Sequence, residues 1–234
     1  MLVVCNGTMK SGSTWLLHIV SAEGSLSRVD ERYQHRGWRN PSIGNEAFSS
    51  FFGEAEYKKK DYFCKQHWYG SQKYKDLLVD DSVKVLNIKR DLRDVLVSWY
   101  FHDKRLGRTQ TVNAKDWFFN GDGAKMMQRV VDYQCFWHGN TEQQPFLCSY
   151  EGLHADFDGE VKKIFEFIER PVSEKQLATI KELTSFTSKE KVGDGSFFRK
   201  GEVGDWANHL DSEVVDALNQ MAKNSKYPFL DNSN

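Results

Sequence analysis

The chain has 234 residues, 39% of them hydrophobic, enough to bury the core of one α/β domain of ordinary size or of two small ones. Lys and Arg total 32 against 33 Asp and Glu, so the net charge is −1. That leaves no electrostatic footprint for nucleic acid or a membrane surface, and any basic site has to be local. No apolar run approaches the ~20 residues of a membrane span. Leu2 to Cys5 is too short for a signal-peptide core and has no basic segment before it, so a soluble cytoplasmic protein is expected.

Leu2-Val3-Val4-Cys5 is an unbroken apolar run, suited to a strand buried on both faces of a parallel sheet. Gly7, Lys10, Ser11, Gly12, Ser13 and Thr14 follow as a loop of small residues with one cation. Trp15, Leu16, Leu17, Ile19 and Val20 then resume with helical spacing. Strand, small-residue loop and helix make the layout of a phosphate cradle. The loop N–H groups and the helix N-terminus point at an anion, and the glycines let it approach. Gly7 and Gly12 have the G-x-x-x-x-G spacing of a Walker A loop, but Ser13 stands where its Lys belongs and the cation sits earlier, at Lys10. Small residues alone fit a plain strand-to-helix turn equally well. The Lys, the hydroxyls and the Trp favour the anion site.

Residues 24 to 61 are polar, broken by Gly24, Gly37, Pro41, Gly44 and Gly53, and carry scattered aromatics. They read as a loop with short helices over one edge of a sheet. Tyr62 to His67 reads as a short strand ending in two polar groups, and Ser82 to Lys89 as another strand, ending at Arg90. Asp91 starts a helix with Asp94 three residues on, near the capping-box pattern, and Leu92, Val95, Leu96 and Trp99 share one face. Residues 123 to 138 are expected to be helical, 145 to 150 a third strand, and 158 to 169, 173 to 186 and 211 to 223 helices. Residues 187 to 205 are expected to form a loop. Strands alternating with helices predict an α/β fold, a single domain over 1–234 with a central parallel sheet flanked by helices. Cys5, Cys64, Cys135 and Cys148 form no C-x-x-C pair and read as buried free thiols.

Three segments carry a resemblance. Lys10 to Trp15, K-S-G-S-T-W, resembles the 5′-phosphosulfate loop of the soluble, cytosolic-type sulfotransferases that use 3′-phosphoadenosine 5′-phosphosulfate (PAPS). Arg90-Asp91-Leu92-Arg93-Asp94-Val95 with Ser98 resembles that family's R-D-P-R-D-V-x-x-S, with Leu92 in place of Pro. Arg199 to Trp206 resembles its R-K-G-x-x-G-D-W. The segments come in the family's order, at about its spacing, across roughly residues 2 to 206. The resemblance implies PAPS as cofactor, its desulfated form PAP as product, and no required metal. Lys10, Ser11, Gly12, Ser13 and Thr14 would then cradle the 5′-phosphosulfate. Arg90, Ser98, Arg199, Lys200 and Gly201 would hold the 3′-phosphate, and Trp15, Tyr150, Thr184 and Phe186 would line the adenine. Lys65-Gln66-His67 resembles the family's K-T-H, which makes His67 the catalytic base beside Lys10 and Lys65. Such a base loses activity as pH drops through its pKa, near ~6.5 for an ordinary imidazole.

Trp68-Tyr69-Gly70 replaces the Leu-Pro that commonly follows K-T-H, which alters the acceptor wall. Residues 208 to 217 lack the family's K-x-x-x-T-V-x-x-x-E dimerisation motif, so a monomer or weak dimer is expected. The expected reaction is sulfuryl transfer to a small-molecule alcohol or phenol, with neither nucleic acid nor membrane as partner. Two rivals stand beside it. A P-loop kinase of a nucleotide or metabolite needs a Lys after Gly12 and an acidic Mg²⁺ ligand. A non-catalytic nucleotide-binding domain would have no use for Lys10, Lys65 and His67 together.

Overall fold

The computed structural model describes residues 1–29, 51, 57–68, 81–139, 145–185 and 201–225. Phe186, Arg199 and Lys200, together with Trp38 and Tyr69, lie outside these residues, as do most of the aromatic-rich stretch and most of the loop expected over 187–205.

The described elements are β1 (Leu2–Gly7), α1 (Ser13–Ala22), β2 (Ser27–Arg28), β3 (Tyr62–Gln66), β4 (Val83–Lys89), α2 (Leu92–Arg105), α3 (Ala114–Asn120), α4 (Gly123–Gly139), β5 (Phe146–Ser149), α5 (Tyr150–Ala155), α6 (Phe157–Phe167), α7 (Glu174–Thr184) and α8 (Ser212–Lys223). Single 3₁₀ turns cover Tyr57–Lys59 and Asp205–Asn208. The strands form one five-stranded parallel sheet in the order β2-β3-β1-β4-β5. The fold is α/β, with this sheet flanked by helices.

Contacts group the chain into two compact units, 1–89 with 142–189, and 90–141 with 190–234. The first unit holds the sheet. Every residue of β1 is buried, as a strand central to a parallel sheet requires. Val3 and Cys5 pack with Leu16, Leu17, Ile19 and Val20 of α1. The same core takes Val161, Ile164 and Phe165 of α6 with Leu177 and Ile180 of α7. These are the apolar positions that helical spacing picks out. Ser173 closes a full capping box with Gln176, which starts α7 where the sequence places a helix. The second unit has its own core, in which Val95, Leu96 and Trp99 of α2 meet Trp117, Phe118, Met127 and Val130, with Val214 and Leu218 of α8.

Several expectations need correction. β1 runs on through Asn6 and Gly7 rather than stopping at Cys5. Within the stretch expected as loop with short helices, Ser27–Arg28 pairs with Tyr62 and Phe63 as an edge strand. Asp91 caps α2 by accepting from Arg93 N–H, but Asp94 does not complete a capping box. The seven-residue α3 and six-residue α5 were not expected, because so short a segment shows less than two turns of apolar periodicity. Tyr150 therefore opens a helix instead of ending a strand: the Ser149 hydroxyl accepts from Gly152 N–H and turns the chain into α5. All four cysteines are buried free thiols, as expected.

Candidate functional site

In a parallel sheet every strand ends at the same edge, and ligands of open α/β sheets bind there. At that edge β1 delivers the loop Thr8–Gly12, β3 delivers Lys65 and His67, and β5 delivers Tyr150. Gly7 is needed for space: a Cβ there would lie 2.8 Å from the Ile88 methyl and 2.8 Å from Ser11 Oγ. Gly12 is needed for space and conformation. Its φ is 97°, and a Cβ would lie 2.7 Å from the Tyr150 ring. Lys10 adopts a left-handed φ of 72° without being glycine, the kind of backbone strain that concentrates in ligand-binding loops. Ser11 donates both its hydroxyl (2.7 Å) and its N–H (3.3 Å) to the Thr8 carbonyl, so its side chain shapes the loop from within. No side chain caps the N-terminus of α1, so its first-turn N–H groups and positive dipole end face the loop. Thr8 Oγ1 is buried without a hydrogen-bond partner.

Lys65 Nζ donates to Thr14 Oγ1 at 2.8 Å. The ammonium is buried, and among the described residues no carboxylate pairs with it. Burial, only partly offset by Cys5, lowers its pKa to about 8. His67 follows β3 directly, and its Nδ1 lies 2.5 Å from the Gly7 carbonyl. A carbonyl only accepts, so Nδ1 carries the proton and Nε2 the lone pair. Burial and the neighbouring Lys65 charge push the imidazole down to about 4, against the opposing pull of the Gly7 carbonyl. The ordinary value near ~6.5 used for the sequence therefore does not hold here, and the ring is neutral across the physiological range.

Beside the loop, Trp15 is edge-on to Tyr150 at 5.4 Å, 4.9 Å from the His154 ring and stacked at 6.0 Å on Phe157. Trp15 is thus part of an aromatic cluster as well as a candidate adenine contact. Thr184 is buried, and its hydroxyl donates back to the Ile180 carbonyl within α7.

In the second unit, Arg90 follows the last residue of β4 and donates from Nη2 to the Glu202 carbonyl at 2.9 Å. Asp94 lies 3.9 Å from the same guanidinium and is fully buried, so the pair is no surface salt bridge. Asp94 also accepts from the N–H groups of Gly204 (2.8 Å) and Trp206 (3.0 Å). The Arg93 guanidinium lies 4.0 Å over the Trp206 ring. The R-D-L-R-D and G-D-W segments, about a hundred residues apart in the chain, are thereby bound together. Gly201 and Gly204 take left-handed φ values of 71° and 82°. Ser98 is half-buried on α2.

Sequence reasoning missed two residues with clear roles. Asp94 organises the G-x-x-G-D-W segment, and Asn6 binds the peptide after His67. A polar Asn inside each of two apolar strands, at Asn6 and Asn87, was the available signal. Among the described residues, no group of three or more His, Cys, Asp or Glu is placed to hold a metal ion, and no helix is long and apolar enough to cross a membrane.

The family described as Sulfotransferase domain matches residues 2–227. Mouse Sulfotransferase 2B1 is 25% identical, covering 94% of this chain and 71% of that protein. Zebrafish Sulfotransferase 6B1 is 31% identical over 59% of this chain and 50% of that protein. Among solved structures, a mouse sulfotransferase complexed with PAP superposes with a TM-score of 0.70 at 18% identity, covering 95% of this chain and 82% of that one. Retinol dehydratase in complex with androsterone and the inactive cofactor PAP gives 0.68 at 20% identity, covering 97% and 82%. The structural likenesses establish the fold. With the family match over nearly the whole length, the chain belongs to the sulfotransferase-domain family of enzymes.

Proposed function

We propose that this chain, acting as one domain, transfers a sulfuryl group from PAPS to the hydroxyl of a small alcohol or phenol. The observation that carries this reading is a buried ammonium, Lys65, with no carboxylate partner among the described residues. It is bonded to Thr14 at an uncapped helix N-terminus and lies beside a neutral imidazole with its lone pair on Nε2. The residues fit an anionic phosphosulfate. The N–H groups of the α1 first turn, the Gly12 opening and the orphaned Thr8 hydroxyl supply donors and room.

Bound PAPS would supply the transferable sulfuryl group. Gly12, Ser13 and Thr14 hold the 5′ end through backbone N–H groups, with Ser11 shaping the loop. Lys10 and Lys65 neutralise charge at the transferring and leaving oxygens, the preorganised electrostatics that dominate group transfer of this kind. His67 Nε2 takes the acceptor O–H proton, while Nδ1 stays on the Gly7 carbonyl. Arg90, Ser98, Arg199, Lys200 and Gly201 hold the 3′-phosphate, with Arg90 able to exchange the Glu202 carbonyl for phosphate oxygens. Trp15, Tyr150, Thr184 and Phe186 would line the adenine.

A structural neighbour binds androsterone and another binds retinol, so compact apolar alcohols lead the acceptor panel. The test is transfer of label from PAPS to sterol, aliphatic and phenolic hydroxyls. Labelled organic sulfate is expected. PAP binding with no product from any acceptor class would instead favour a nucleotide-binding domain without turnover.

A further inference from the structure

We propose that Asn6 is a positioning residue that fixes the catalytic geometry of His67, an inference that rests on His67 being the base. Parallel pairing of β1 with β3 runs from Leu2–Tyr62 to Asn6–Gln66. Beyond it the regular pairing ends, and two bonds to consecutive residues of β1 hold the chain. The imidazole Nδ1 reaches the Gly7 carbonyl at 2.5 Å. The N–H of Trp68 donates to Asn6 Oδ1 at 2.9 Å. His67 thus lies between two anchors, one through its ring and one through the following peptide. The peptide bond limits how the backbone of His67 can rotate, and the ring bond limits how the imidazole can swing.

The anchor is itself anchored. Asn6 is fully buried and its Nδ2 donates to Asn87 Oδ1 at 3.1 Å. Asn87 is its register partner on β4. A buried Asn in a strand otherwise made of apolar residues is costly unless its donors and acceptor are engaged. Here both the amide nitrogen and the amide oxygen are engaged, and the oxygen is spent on the peptide next to the base. The Trp68 side chain is buried as well. Geometry held within fractions of an ångström is what proton abstraction demands. The Ser11 bonds to the Thr8 carbonyl, which shape the loop, involve no atom of Asn6, so loss of Asn6 should spare cofactor binding.

Three measurements test this. In Asn6→Ala, kcat should fall about tenfold or more while PAP affinity stays within about twofold. In a His67→Gln background the same substitution should change kcat by less than about twofold, because the residue through which it acts is gone. If the alanine variant does not fold, Asn6→Ser answers the same question: it offers a polar group to Asn87 but is too short to reach the Trp68 peptide. The third readout is independent of His67's chemical role. Nitrogen-detected NMR of the imidazole should show the Nδ1–H tautomer in the wild type and a tautomer mixture in the Asn6 variant. An unchanged tautomer, an equal loss of kcat in both backgrounds, or loss of PAP binding with kcat would overturn the proposal. Should His67→Gln itself leave kcat intact, the base assignment fails, and the tautomer result still decides the positioning role.

Discussion

The two basic regions of this molecule treat their cations differently. In the first unit, Lys65 is buried and donates to the neutral Thr14 hydroxyl, with no carboxylate beside it among the described residues. Its lowered pKa, about 8, records the strain. In the second unit, Arg90 is equally buried but is met by Asp94 and by the Glu202 carbonyl. One region holds a cation with no carboxylate beside it among the described residues, and the other pairs its cation with Asp94. A buried ammonium without a counter-ion is costly in the free protein and is relieved when an anion arrives. A paired guanidinium stabilises the free protein and has to exchange partners to bind. The first arrangement suits chemistry in which charge changes during reaction. The second suits recognition alone.

The largest expected effect tests the chemistry of the first region. His67→Gln should lower kcat by about 10²-fold or more, the range for loss of a general base, with PAP affinity nearly unchanged. Lost folding or lost PAP binding would make His67 structural.

Next come two substitutions expected to move stability in opposite directions. Lys65→Met should lower turnover by about 10²-fold, as for loss of one preorganised electrostatic group, and yet raise the melting temperature of the free protein. The sign follows from the depressed pKa. Because folding lowers the Lys65 pKa, the charged form is penalised in the folded state. That penalty is fully present below about 8 and disappears as pH rises towards the ordinary value of 10.5. At pH 7 the variant escapes it, and each kcal/mol recovered is worth roughly 2–4 °C at this chain length. Arg90→Ala should do the reverse, lowering the melting temperature because Asp94 is left as a buried carboxylate without its cation. It should also abolish the larger thermal shift expected with PAP than with ADP. Two shifts of the same sign would remove the contrast between the regions.

A smaller effect is the pH profile of kcat/KM. In the proposed mechanism His67 has to be neutral to accept a proton and Lys65 charged to hold the transferring group. Activity should therefore hold between about 4 and about 8, falling below the first value as His67 protonates and above the second as Lys65 loses its proton. Lys65→Arg, charged throughout, should remove the upper limb. An acid limb near ~6.5 would mean that His67 titrates as an ordinary imidazole.

The smallest expected effect is that of chelation. With Lys10, Lys65 and the α1 N–H groups supplying the charge, turnover should be unchanged in excess EDTA. Strict dependence on added Mg²⁺ would contradict this assignment of charge.

Local chemistry made the loop after β1 legible. Gly7, Lys10, Gly12 and Thr14 lie within eight residues, and the constraint on each glycine is a backbone property visible as spacing. Apolar periodicity likewise marked α6 through Val161, Ile164 and Phe165, and the longer helices of the second core. The short helices and the edge strand β2 were not legible, since two to seven residues carry too little pattern. Only the tertiary structure decided which groups meet. That Asp94 serves Gly204 and Trp206 rather than its own helix depends on a contact across more than a hundred residues. The same is true of the His67 titration, which is set by burial and by Lys65 rather than by the residue type. Asn6 beside Trp68 is the sharpest case. Sequence shows a lone polar residue in an apolar strand, and only the register of β1 against β3 and β4 reveals what its amide oxygen and nitrogen hold. Covalent neighbourhood determines backbone conformation, whereas desolvation and long-range pairing arise only once the strands have come together.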